Sequence, residues 1–308
     1  MALIFSFLFC QVLVQPVKSQ FLGSIYINPD GSVTGTDKIQ RNGNIYTFTD
    51  NINGAIAIDK DNIVIDGTNH TLSGPSQSQY GISLLDRNGI TIKNVQVSGF
   101  SVGIWLAYAS NNTIYGNTAT VEIDFNSTNN NITQNYLTST ASNSYFGIKI
   151  DCFGFSIYSN NVITNNVIAN NPDGIVMYQS ANNTITENTI ANSTNDGLDL
   201  QYCSFNTIAR NNIINNTRQV AGTNSGNNTW GMNYWSDHID GGPYLIQYGT
   251  VLIGGINYTD VDYHPASIPF SGSTVTIPEF PSWIILPLIL IATLSAILLI
   301  KRGKFKSN

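Results

Sequence analysis

The chain has 308 residues, enough for one large domain, two ordinary ones or an elongated repeat array. Hydrophobic residues make up 42%, a normal share, but charged residues only 10%, far under the usual quarter, and Asn at 40 positions supplies the missing polarity. Setting aside Lys18, Lys301, Arg302, Lys304 and Lys306 near the two ends leaves 8 basic residues against 19 acidic ones; a body carrying −11 is not built for nucleic acid or anionic lipid.

The first element is "MALIFSFLFCQVLVQPVKS", an apolar run followed by a polar stretch ending in small Ser19. It reads as a secretory signal peptide over 1–19; because its start lacks a positive charge, an uncleaved anchor is the competing reading. Residues 20–60 keep no clean repeat, and "IYINPDGSV…NIYTFTDNI" is expected to form an N-terminal cap on the repeats.

Residues 61–215 repeat. Strands opening on Gly recur as "YGISLLD" at Gly81, "VGIWLAY" at Gly103, "FGIKIDC" at Gly147, "DGIVMYQ" at Gly174 and "DGLDLQY" at Gly197, with "VEIDFNS" around Glu122 filling the wide gap. A second series runs in step through Ile92, Ile114, Ile132, Ile163, Ile185 and Ile208, with "DNIVIDG" at Ile63 as an earlier member. Each phrase holds two or three short alternating strands separated by Asn and Gly. Such strands do not fold alone; stacked on copies of themselves, about 4.8 Å apart, they pair in parallel and bury one aliphatic stripe. The predicted class is therefore all-β: a right-handed parallel β-helix (solenoid) with N- and C-terminal caps and one C-terminal transmembrane helix. A β-sandwich would not keep returning to a spacing of 22 or 23 residues. Asn tolerates left-handed backbone at the corners, and stacked Asn side chains can hydrogen-bond as a ladder along the axis.

Residues 216–265 form the expected C-terminal cap, with Tyr234 and Trp235 covering the apolar end. Asp237, His238, Asp240, Asp260, Asp262 and His264 crowd there, either to cap and solubilise the last coil or to hold a metal. Residues 266–282, "ASIPFSGSTVTIPEFPS", read as an extended linker. The stretch 283–300 is apolar and uncharged and is followed by the basic tail 301–308, which reads as a membrane-spanning helix with a cytoplasmic end. Everything before it then faces outward. Nine N-x-[ST] sequons, at Asn69, Asn111, Asn126, Asn131, Asn182, Asn192, Asn215, Asn227 and Asn257, are candidate glycan sites on an exported body, though so Asn-rich a chain makes some by chance.

The coils "NNTITENTIAN" and "NNVITNNVIAN", closing with "NYWSDH" and "DVDYHP", resemble the NosD-type, or CASH (carbohydrate-binding and sugar-hydrolase), β-helix repeat proteins over about residues 50–265. The tail "PEFPSWIILPLILI…KR" resembles the PEF-type sorting signal of archaeal surface proteins, which implies an archaeosortase-type processing enzyme and a lipid anchor in place of the helix. The NosD resemblance implies copper delivery to nitrous-oxide reductase. The residues present do not cluster for it: His70, His238, His264, Met177, Met232 and two cysteines are scattered along the repeat.

With Ile104, Ile123, Ile148, Ile175 and Leu198 inside, alternation places Trp105, Asp124, Lys149, Val176 and Asp199 in one outward row and Ala107, Asn126, Asp151, Tyr178 and Gln201 in the next. Trp105, Asp124, Lys149, Asp151, Tyr178 and Gln201 form a candidate sugar-binding strip, rings to stack on and polar groups to fix hydroxyls, against the plainer reading of a solvated face. Asp173 and Asp196 should stack at one corner and, with Asp199, make the candidate catalytic group. Asp-Gly is also simply a favoured turn pair, and a Ca²⁺ site is the remaining reading; no other cofactor is expected. Cys152 and Cys203 fall two coils apart, too far to bridge, and are expected as free thiols. The expected function is cell-surface display, structural, adhesive or carbohydrate-binding toward an envelope or extracellular glycan. A polysaccharide hydrolase or lyase, then copper handling, are the alternatives.

Overall fold

The computed structural model describes residues 25–139, 141, 143–152, 159–239, 241–247 and 259–271. The segments read above as signal peptide, membrane-spanning helix and basic tail, most of the linker, Asp240 and Asn257 lie outside the described residues. Among the described residues no helix is long and apolar enough to cross a membrane.

Each coil contributes three short strands, and each strand pairs in parallel with its equivalent in the next coil. The first wall runs through Thr91–Lys93, Thr113–Tyr115, Asn131–Thr133, Val162–Thr164, Thr184–Thr186, Thr207–Ala209 and Thr229–Gly231. The second includes Tyr136–Leu137, Val167–Ala169, Thr189–Ala191, Asn212–Ile214 and Tyr234–Trp235. The third includes Val121–Asp124, Phe146–Asp151, Asp173–Tyr178, Asp196–Gln201 and Arg218–Thr223. Thr71–Leu85 and Gln96–Ala107 are long strands that turn the corner from the second wall into the third without a break. This is a parallel β-helix, one coil per repeat.

The isoleucine series stacks as expected from Ile92 to Ile208, but its earlier member is Ile65, paired with Ile92, and not Ile63. The coils also reach past 61–215 at both ends. Parallel pairing already joins Ile25–Ile27 to Ile56–Ile58 and Ile45–Phe48 to Val64–Asp66, and it continues to Tyr234–Trp235. Two antiparallel pairings, Ile25–Ile27 with Val33–Thr34 and Ile39–Asn42 with Ile45–Phe48, shape the N-terminal end. A hairpin of Tyr244–Gln247 and Thr259–Asp262 closes the other.

The interior is one continuous apolar core, with the stacked residues Ile163, Ile185 and Ile208 wholly buried. At the corner before the third wall there is no room for a side chain: a Cβ on Gly174 would lie 2.5 Å from the Gly197 carbonyl oxygen and 2.7 Å from Ile190 Cγ2. That is why the repeat opens on glycine.

At the corners on either side of the first wall, from Asn111 onward, two consecutive residues, the second always asparagine and the first often so, divide two tasks. The first of a pair takes the left-handed conformation on the surface, as at Asn111 (φ 58°), Asn165 (φ 56°) and Asn182 (φ 61°). The second turns inward and is buried. Asn112, Asn130, Asn161, Asn183, Asn206 and Asn228 form one internal ladder, and Asn117, Asn135, Asn166, Asn188, Asn211 and Asn233 a second. In the second ladder each Oδ1 from Asn135 onward accepts from the backbone N–H and the Nδ2 of the asparagine one coil earlier, while Nδ2 also donates to main-chain carbonyls, as Asn188 does to Ile163 and Thr186. The corners therefore leave few main-chain groups unsatisfied, as buried polar atoms require.

Candidate functional site

The outward rows of the third wall differ from expectation at one coil. Ile104 pairs with Val121, not Ile123, so the coil carrying "VEIDF" is shifted by two residues. The first row reads Ser83, Trp105, Glu122, Lys149, Val176, Asp199, Ala221, and the second Leu85, Ala107, Asp124, Asp151, Tyr178, Gln201, Thr223. Glu122, not Asp124, lies beside Trp105 and Lys149. Asn126 falls outside both rows.

The shift builds an ion network. Lys149 Nζ lies 2.8 Å from Glu122 Oε1, 3.2 Å from Asp151 Oδ2 and 4.0 Å from Asp124 Oδ1. Trp105 donates its indole N–H to Asp124 Oδ2 at 2.7 Å and stacks on Tyr80 with centroids 4.3 Å apart. Val102 and Ala107, with Tyr80, Phe125 and Phe146, complete a small apolar cluster outside the solenoid, and Trp105 is only 5% exposed. The indole faces outward from its coil as expected, but it is covered and offers no open ring to a sugar.

Burial, reinforced by the charge of Glu122 and opposed by the Trp105 hydrogen bond, pushes the Asp124 carboxyl up to about 6. Burial also works against the Lys149 ammonium, but the Glu122 hydrogen bond and the three carboxylates outweigh it and raise its pKa. Lys149 therefore stays charged and is no general base. A carboxyl raised in the folded state binds its proton more tightly there than in the unfolded chain, so its ionisation costs stability as pH rises from about 4 through about 6. Asp124→Asn removes that cost. Urea unfolding is expected to show the variant gaining on the parent between pH 4 and pH 7; an offset that stays constant across this window would refute the assignment.

Of the three candidate catalytic aspartates, Asp173 and Asp196 meet at one corner while Asp199 lies further along the strand beside Gln201, and Arg218 joins them as a partner the sequence reading missed. Asp196 follows Asp173 one coil on and donates its backbone N–H to Asp173 Oδ1 at 3.1 Å. Arg218, one coil further, forks onto Asp196 through Nε at 2.6 Å and Nη2 at 2.8 Å. The Asp199 carboxylate accepts from Gln201 Nε2 at 2.8 Å. Burial raises the carboxyls of both Asp173 and Asp199, the Asp196 charge adding to each and the hydrogen bonds opposing it. Tyr178 and Tyr202 meet edge to face at 5.8 Å nearby, and Tyr202 is exposed. The C-terminal half of the wall, from Asp173 to Thr223, with its outward rows half-buried and Tyr202 exposed, is the candidate site.

The acidic C-terminal end is organised as a terminator. Asp262, wholly buried, accepts at Oδ2 from the Asn233 backbone N–H, Asn233 Nδ2 and Trp235 Nε1, and at Oδ1 from the backbone N–H groups of Met232 and His264. Asp260 accepts from the Asn228 backbone N–H and Trp230 Nε1. His238 Nε2 contacts the Gly242 carbonyl, and Asp237 accepts from the Tyr244 hydroxyl. Trp235 is buried under Tyr244, stacked at 4.1 Å.

The described residues contain no group of three or more His, Cys, Asp or Glu able to hold a metal ion. Of the soft donors, Met177, Cys152 and Cys203 are buried in the core, whereas Met232 is exposed. Both cysteines are free, and burial pushes their thiols up to about 11, so they stay protonated and are poor ligands. A copper site does not fit these three buried donors.

Seven sequon asparagines, Asn69, Asn111, Asn126, Asn182, Asn192, Asn215 and Asn227, are exposed, whereas Asn131 lies in a first-wall strand with its Oδ1 shut off from solvent. The corner itself writes several of them: surface Asn, ladder Asn, then the Thr that opens a strand, as in Asn182, Asn183 and Thr184.

A family model described as "Periplasmic copper-binding protein (NosD)" matches residues 153–247. No curated protein matches the chain. Among solved structures, the chain is similar to the periplasmic alginate epimerase AlgG, at 16% identity over 68% of each chain with a TM-score of 0.44. It is also similar to a mutant tailspike protein of E. coli bacteriophage HK620 in complex with pentasaccharide, at 10% identity over 61% of this chain and 48% of that one with a TM-score of 0.34. The family match and the all-parallel coil pairing support a NosD-type β-helix repeat fold.

Proposed function

We propose that the protein is an exported, membrane-anchored β-helix that displays the C-terminal half of its third wall as a glycan-binding surface. The observation that carries this reading is the juxtaposition, in consecutive coils, of the Tyr178 and Tyr202 rings with the Asp199–Gln201 pair. Rings that cover a pyranose face, beside a carboxylate and an amide for its hydroxyls, are the chemistry of sugar recognition. The apolar segments 1–19 and 283–300 carry the export and anchoring part of the proposal, with a sorting enzyme as the partner that would exchange helix for lipid.

A glycan array tests the surface. The parent protein is expected to bind at least one polysaccharide class, and Tyr202→Ala with Gln201→Ala to lose about tenfold or more in affinity. Retention of full binding by that double variant would remove the site. A second reading, hydrolysis or elimination, is favoured only by the raised carboxyls of Asp173 and Asp199. It is weakened by Arg218, which holds Asp196 in a bidentate pair. Release of reducing ends, abolished by Asp199→Ala, would establish it.

A further inference from the structure

We infer that this wall selects uncharged glycans and rejects uronic-acid and sulfated ones, an inference that rests on the glycan-binding reading above. The third wall's outer rows and corner carry six carboxylates, Glu122, Asp124, Asp151, Asp173, Asp196 and Asp199, against two cations, Lys149 and Arg218. Four negative charges are left in excess.

Both cations are already engaged. Lys149 lies within 4.0 Å of three carboxylates. Arg218 is 66% exposed at its side chain, but its Nε and Nη2 edge is taken by Asp196. That edge is one of the two forks with which a guanidinium grips a carboxylate or sulfate, and an anionic chain taking it would have to displace Asp196 and strand a carboxylate that is itself nearly buried, while the charge met at the other edge is already offset by Asp196.

An anion approaching along the wall also meets like charge from coil after coil. Coils stack about 4.8 Å apart, within the Debye length of about 8 Å at physiological salt, so successive carboxylates act together. The body's charge of −11 points the same way. A neutral sugar meets none of this: its hydroxyls donate to Asp199 and Asp173, and hydroxyl-to-carboxylate bonds are among the stronger hydrogen bonds available.

The test is calorimetric titration of the full-length protein with matched-length neutral oligosaccharides (glucan, mannan and N-acetylhexosamine series) and with oligouronates, at low and high salt. Neutral chains are expected to bind with an affinity that salt does not move, and oligouronates at least about tenfold more weakly at low salt. In an Asp173→Asn, Asp199→Asn variant, which removes both charges and keeps one acceptor oxygen at each position, that gap should narrow. Oligouronates binding as tightly as neutral chains at low salt would overturn the inference while leaving a glycan site in place. Binding of neither class would bring down the glycan-binding reading itself.

Discussion

Asn166→Ala is expected to cost on the order of 4 kcal/mol of stability, and Asn165→Gly, one residue earlier, less than about 0.5 kcal/mol. The two asparagines are adjacent in the chain and opposite in role. Asn166 Oδ1 accepts from the backbone N–H and Nδ2 of Asn135, and its Nδ2 donates to Asn188 Oδ1 and to the carbonyls of Ile132 and Thr164. Alanine strands the buried Asn135 N–H, strips a donor from two carbonyls and leaves a polar hole. Each buried group left without a partner costs about 1–3 kcal/mol. Asn165 holds a φ of 56° and makes one side-chain bond, to Thr164 Oγ1. Glycine adopts that backbone freely and forfeits only the surface bond. Urea midpoints measured side by side decide the matter. Equal losses at the two positions would mean that the ladder is a by-product of corner geometry and contributes little.

Asp262→Asn is expected to loosen the C-terminal end by about 3 kcal/mol while leaving the central coils protected. The aspartate receives five N–H donors and gives none. The amide has one acceptor oxygen and an NH₂, so either orientation sets that NH₂ against donors that now have nowhere to bond. Because coils touch only their neighbours, the damage should stay local. Hydrogen exchange should accelerate over residues 229–236, and the emission of Trp235, now packed under Tyr244, should shift to the red. Asp237→Asn, which alters only an exposed contact to the Tyr244 hydroxyl, is the control. Uniform deprotection of every coil would instead indicate one cooperative unit with no special terminator.

Periodicity made the coil pattern legible, because stacking turns a spacing of 22 or 23 residues into spatial adjacency, as at Ile163, Ile185 and Ile208. It failed where a coil changes length. Ile104 to Val121 is shorter than the repeat and Val121 to Ile148 longer. Anchoring on Ile123 therefore put Asp124 in the place of Glu122 and concealed the three-carboxylate cage around Lys149. The burial of Trp105 was invisible because its cover, Tyr80 and the aromatic residues Phe125 and Phe146, comes from other coils and obeys no repeat. Arg218 was overlooked because its strand lacks the opening glycine. Asp260 and Asp262 were noticed as an acidic crowd, but their task depends on a hairpin folding back about 30 residues onto Asn228 and Asn233.

The ladders have a direction. Every rung of the second ladder passes one side-chain amide hydrogen toward the C-terminus, and the series ends only when it meets a group that accepts and does not give. Whole coils can thus be duplicated or lost from the middle without any rung losing a mate, so the reach of this rod is open to change by simple tandem copying. The final carboxylate is not: a lengthened descendant must carry it along at its tip, and a shortened one that dropped the closing hairpin would be left with a bare row of N–H groups.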